Sequence, residues 1–161
     1  MGSKRLPPIV VPEDPATLGY LAGLIDGEGT IGIKTQFARG SSKNPSHSIV
    51  VSVVNTDARL MLWLGEVVGG RVYGPRADKR NTARGHKPRW DWTIFGGNAE
   101  RLLIAIRPYL VIKGEQADLA IGMRRLGRTQ GRELGRDLVA RREQLKQQMH
   151  VLNQRGLRVA S

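Results

Sequence analysis

Three glycines spaced four residues apart, Gly19, Gly23 and Gly27, run along one segment that ends in an acidic residue, Glu28. Glycine is costly in a helix interior. A smooth stripe of it suggests that another backbone comes close, either inside the same chain or from a second copy, and the stripe alone fits both. With a second copy, Glu28 at the helix end would lie beside its symmetry mate. Two such carboxylates with phosphate oxygens make a Mg²⁺ site, because that ion commonly takes one or two carboxylates with substrate oxygens and water. Asp26 lies two positions away and points off the other side of the helix, as a local structural acid would. The string Gly27-Glu28-Gly29-Thr30-Ile31-Gly32 has dinucleotide-binding spacing. That motif needs a strand before it and a helix after it. Here the order is helix, then strand, so nucleotide binding is set aside.

The elements that hold these residues follow from pattern. Asp14 and Pro15 suit a helix cap and first helical position, and the helix should stop at the Gly27/Gly29 pair. A strand over 30–37 alternates Ile31, Ile33 and Phe37 with Gly32, Lys34 and Gln36. A loop over 39–45 leads to a strand over 46–54, with Ile49, Val51 and Val53 on one face and Ser48, Val50 and Ser52 on the other. Asn55-Thr56-Asp57 opens a helix over 58–68, which Gly69-Gly70 ends. A strand over 71–76, a basic loop over 77–87 and a strand alternating Trp90, Trp92 and Ile94 with Arg89, Asp91 and Thr93 follow. Helices over 99–109 and about 114–126 complete the pattern. The strand–strand–helix unit occurs twice, which implies an α+β fold: an antiparallel sheet with helices on one face.

The other sheet face would carry Lys34, Gln36, Ser48, Ser52, Arg76, Arg89, Asp91 and Thr93. Such a face suits plain solvent, or phosphates and base edges. The basic loop with Lys79, Arg80, Arg84, His86 and Lys87 favours double-stranded DNA as the partner, and Arg39 and Arg71 join the set of candidate contacts. After residue 126 the character changes. Leu134, Leu138, Leu145, Met149 and Leu152 recur at helical spacing among many arginines, a basic amphipathic helix that either packs on the core or lies along DNA. The organisation is thus an irregular arm over 1–13, a domain over 14–126, and a basic helix and tail over 127–161.

Composition narrows the classes. Lys and Arg number 26 against 14 Asp and Glu, a formal charge of +12. The partner should be a polyanion, nucleic acid first and anionic membrane second. There are no cysteines, which excludes disulfide staples, thiolate zinc sites and thiol catalysis. No stretch has the length of a membrane span, and the proline-rich start is no secretory signal. An intracellular protein is expected, in the cytoplasm of a prokaryote or in an organelle.

The segment Leu21-Ala22-Gly23-Leu24-Ile25-Asp26-Gly27-Glu28-Gly29 resembles the signature of the LAGLIDADG homing endonucleases, matching it at seven of nine positions. Asn55-Thr56-Asp57, Trp63-Leu64 and Gly69-Gly70-Arg71-Val72-Tyr73 are similar to that family's second helix and third strand. Arg107-Pro108-Tyr109-Leu110-Val111-Ile112-Lys113-Gly114-Glu115-Gln116-Ala117-Asp118-Leu119 is similar to its late helix-turn-helix.

The resemblance implies an αββαββα domain with a saddle-shaped sheet. One motif copy implies a homodimer joined through the helix carrying Gly19, Leu21, Ala22, Gly23 and Ile25. It implies Mg²⁺ held by Glu28 and the Gly27 carbonyl, with Lys113 as the basic catalytic residue that stabilises phosphorane-like charge or orients water. The family often has a polar residue at the end of its second strand. Val53, Val54 and Asn55 compete for that position, and Asn55 is the candidate by chemistry. The activity implied is a double-strand break in a long pseudo-palindromic DNA site. Members that assist the splicing of intron RNA, or that bind DNA without cutting, are the alternatives.

Overall fold

The computed structural model describes residues 8–36, 45–77, 83, 85, 87–126 and 135–155. Helix α1 (Pro15–Glu28) starts at Asp14, whose carboxylate accepts the N–H groups of Ala16 and Thr17. It buries Leu18, Leu21, Ala22 and Ile25, one stripe at helical spacing. The helix passes into strand β1 (Gly29–Gln36) with no loop between. A side chain at Gly29 would put its Cβ 2.7 Å from Ile25 Cα and 2.8 Å from Ile25 O, so the join accepts only glycine.

Strand β2 (Ser46–Asn55), helix α2 (Ala58–Val67), strand β3 (Arg71–Arg76) and strand β4 (Arg89–Phe95) follow. The sheet order is β1-β2-β4-β3, antiparallel throughout. Ile31, Ile49, Val51, Val53, Trp92 and Ile94 are buried on one face, the alternation read from the sequence. At the turn into β3, Trp92 Nε1 donates to Gly69 O at 2.6 Å. Gly70 there has φ +93°, and a Cβ would meet Ile94 Cγ2 at 2.6 Å.

Helix α3 (Gly96–Ile106) begins three residues earlier than the pattern predicts, and a separate 3₁₀ turn (Arg107–Tyr109) follows it. Pro108 has no N–H for the ladder. Helix α4 is Gly114–Arg125. Helix α5 (Arg136–Arg155) settles the question left by the basic segment, because Leu145 and Met149 join the common core. Its Glu143 meets the buried His47 of β2 at 3.1 Å, and Asn153 Nδ2 donates to Ile31 O on the free edge of β1 at 3.0 Å. Ahead of α1, Ile9 is buried and Val10 N donates to Val68 O at 2.9 Å. Among the described residues, no helix is long and apolar enough to cross a membrane.

Candidate active site and nucleic-acid interface

The carboxyl end of α1 meets the turn ahead of α4. The carboxylate of Asp26 accepts three consecutive backbone N–H groups, from Val111 at 2.7 Å, Ile112 at 3.2 Å and Lys113 at 2.9 Å. This is the structural acid foreseen from its position. Lys113 Nζ reaches back and donates to Ile25 O and Asp26 O, both at 2.7 Å. Those carbonyls belong to the last turn of α1, where a cation meets the negative end of the helix dipole; Ile25 O also accepts the Gly29 N–H that closes the helix. Burial pushes the Lys113 ammonium below its ordinary value, while the charges of Asp26 and Glu28 act in the opposite sense.

Glu28 ends the helix and is exposed. Its carboxylate has no hydrogen bond or ion pair with any described residue. Among the described residues no group of three His, Cys, Asp or Glu could hold a metal within one chain. The donor set fits Mg²⁺ none the less. It is oxygen-only, with one free carboxylate beside the Gly27 carbonyl, and the remaining positions suit phosphate and water.

The site opens onto the far face of the sheet. Thr30, two residues beyond Glu28, pairs with Ser52, Ser52 with Thr93, and Thr93 with Arg71, so one row crosses all four strands. Lys34 pairs with Ser48 on the same face, and Lys34 Nζ lies 5.7 Å from the Phe95 ring centroid. Arg76 pairs with Arg89 and lies 3.5 Å from Asp91. The face therefore gathers most of the predicted contacts. Thr93 is an exception in exposure: only 8% of it is accessible, so it lines the sheet floor and is a poor base reader. Asp91 is half-buried and engaged with Arg76. Arg39, Lys79, Arg80, Arg84 and the side chain of Gln36 lie outside the described residues.

Comparison with solved structures decides the fold. The homing endonuclease I-CvuI, in complex with the I-CreI target in the presence of Mg, superposes with a TM-score of 0.71 at 18% identity, over 85% of this chain and 82% of that one. The archaeal intron-encoded homing endonuclease I-Vdi141I, complexed with DNA, gives 0.70 at 16% identity over 92% and 91%. The I-LtrWI LAGLIDADG homing endonuclease bound to target DNA gives 0.62 at 18% identity, over 92% of this chain but 45% of that one. The fold is that of the LAGLIDADG homing endonucleases. No family model and no curated protein sequence matches the chain.

Within the LAGLIDADG fold, two expectations from the sequence need correction. Leu21, Ala22 and Ile25 are fully buried in the protomer's own core and cannot form its outer face. The exposed stripe of α1 is Tyr20, Gly23 and Gly27, with Gly19 at its margin against Tyr109. Tyr20 was missed although it stands three residues before Gly23; its ring packs edge-on against Trp63 at 5.1 Å. Asn55 pairs with Trp90, and its Oδ1 accepts the Asp57 N–H at 2.9 Å. It shapes the turn into α2 and shares the parity of Val53, away from the open face. The polar side chain of β2 in the row beside Glu28 is Ser52.

Proposed function

We propose that this chain is a divalent-metal-dependent DNA endonuclease that works as a homodimer and makes a double-strand break in a long, roughly palindromic duplex site. The observation that carries this is Glu28. An exposed carboxylate without a hydrogen-bond partner among the described residues ends the helix beside a fixed ammonium, at the rim of a basic sheet face. A protein that only bound DNA would need neither the free acid nor the clasped lysine there.

Glu28 and the Gly27 carbonyl would hold the Mg²⁺ together with phosphate oxygen and water. When bound, the ion neutralises charge on the reacting phosphate and lowers the pKa of its water. Lys113 offers positive charge toward the pentavalent transition state. Lys34, Arg71, Arg76 and Arg89 would meet phosphates and base edges, with Ser48 and Ser52 between them.

Dimerisation is supported by the bare stripe of α1. Apart from the adjoining residues and the backbone of α1 itself, no atom of the described residues lies within 4 Å of a Cβ built on Gly23 or Gly27. Beside the stripe, Val111 and Ile112 are 89% and 70% exposed, and exposed apolar side chains of that size favour a protein contact. One copy aligned with less than half of I-LtrWI is consistent with two copies making one working unit.

The test is incubation with duplex DNA made by joining the sequences that flank this gene in its source, with and without Mg²⁺. Mg²⁺-dependent cutting of the joined flanks, absent when the insertion interrupts them, is the expected result. Tight binding without cutting under any divalent metal would favour a non-cleaving DNA-binding protein.

A further inference from the structure

Within the turn that delivers Lys113, the Val111 and Ile112 side chains hold nothing in place; only the Lys113 ammonium reaches back to α1. Leu110 is buried at one end and Gly114 at the other, but Val111 and Ile112 between them face outward. Apolar packing therefore does not set the path of the chain across these residues. The Asp26 carboxylate does, from 85 to 87 residues away in sequence. Hydrogen bonds to an ionised acceptor are roughly twice as strong as neutral ones, and here three successive donors converge on one carboxylate. Asp26 grips Lys113 at both ends: its carboxylate takes the main-chain N–H, and its carbonyl takes the ammonium. Without the first grip, the ammonium would rest on a flexible four-carbon stem attached to a loosened turn. Both Asp26 oxygens are committed to this task, Oδ1 to Lys113 and Oδ2 to Val111 and Ile112. That separates it from Glu28, two residues on, whose carboxylate has no hydrogen bond or ion pair among the described residues.

We propose that Asp26 is a positioning residue for the cutting reaction: by tying down the 111–113 turn it sets the Lys113 ammonium at the carboxyl end of α1 beside Glu28, a role that rests on the nuclease reading above. It acts through Lys113 and does not itself touch DNA or metal.

The experiment uses the full chain, the joined-flank duplex and Mg²⁺. Cutting by the wild type comes first; if the wild type leaves the duplex intact, the nuclease reading fails and this role fails with it. Given a cutting wild type, Asp26→Asn should bind the duplex with unchanged affinity. Its single-turnover rate should fall about 100-fold, the size expected when a reacting group is misplaced by an ångström. Hydrogen exchange on the same variant should show faster exchange at residues 111–113, with β2 and the middle of α4 still protected. Asp26→Glu keeps the charge and should recover part of both the protection and the rate. The decisive arm is a cycle with Lys113→Met. If Asp26 acts through Lys113, adding Asp26→Asn to Lys113→Met slows cutting no further. A second loss of about 100-fold in that background would overturn the proposal. So would a wild-type rate in Asp26→Asn whose turn exchanges freely.

Discussion

Asp14, Asp26 and Asp57 share one device, a short carboxylate that accepts backbone N–H groups where a helix begins or a turn must be fixed. At Asp57 the Arg59 side chain adds to it, with Arg59 Nη2 2.6 Å from Oδ2 and the Arg59 N–H 2.9 Å from Oδ1. These bonds hold the Asp57 carboxyl down from 3.8 to about 2. A depressed value favours the folded form wherever the carboxylate is ionised. This contribution is therefore complete above the ordinary value and is lost as pH falls through about 2. An NMR titration of the Asp57 carboxyl carbon should have its midpoint near 2, and a midpoint at the ordinary value would mean that the Arg59 clasp does not persist in solution. Much at this scale was legible in the sequence. Asp14 announced its cap by preceding a proline, and Asp26 its structural part by pointing off the far side of the helix. The partners of Asp26 were not legible, because nothing local records a contact across 85 residues of chain. Asn55 misled for the opposite reason: its chemistry suited a site, but its nearest partner was a backbone N–H two residues away.

Elements were read well wherever pattern and punctuation agreed. The four strands and their alternation follow from period-two burial, and Pro108 and the glycine pairs end elements where chain geometry requires it. The phase of α1 was harder. The glycine stripe and the apolar residues were assigned together to one outer face, although at 100° per residue Leu21, Ala22 and Ile25 fall opposite Tyr20, Gly23 and Gly27. The corrected phase gives a clean prediction. The Cβ of a leucine at Gly23 meets nothing within 4 Å among the described residues beyond α1's own backbone and the adjoining residues, and it removes the cost of helical glycine. Gly23→Leu should thus stay folded but sediment as a monomer where the wild type is a dimer; a dimer retained in the variant would move the interface off this stripe. For α5, a basic amphipathic pattern cannot tell a helix packed on a core from one laid on DNA, because both need one apolar face. The structure packs it, with Met149 2% exposed. Met149→Ala should then cost about 2–5 kcal/mol in chemical denaturation. A change within about 0.5 kcal/mol, the range of ordinary surface substitutions, would detach α5 from the core.

At the scale of the whole molecule, the proposed DNA partner rests on charge and shape together. The helices and the apolar core occupy one side of the sheet, and the other side presents Lys34, Arg71, Arg76 and Arg89 in a chain of formal charge +12. Charge alone would serve any polyanion. What narrows the choice is that the acidic end of α1 opens at the rim of that same face, where a phosphate held by the cations would lie near Glu28. The most direct test of this account compares Glu28→Gln with the wild type on the joined-flank duplex in Mg²⁺, measuring affinity and cutting on the same samples. Glutamine keeps the size and helix position of Glu28 and leaves the cationic face untouched, but it removes the anionic oxygen a hard metal ion needs. The account expects unchanged affinity and no detectable cutting. Cutting by Glu28→Gln at the wild-type rate would contradict it, and the active site would have to be sought elsewhere in the molecule.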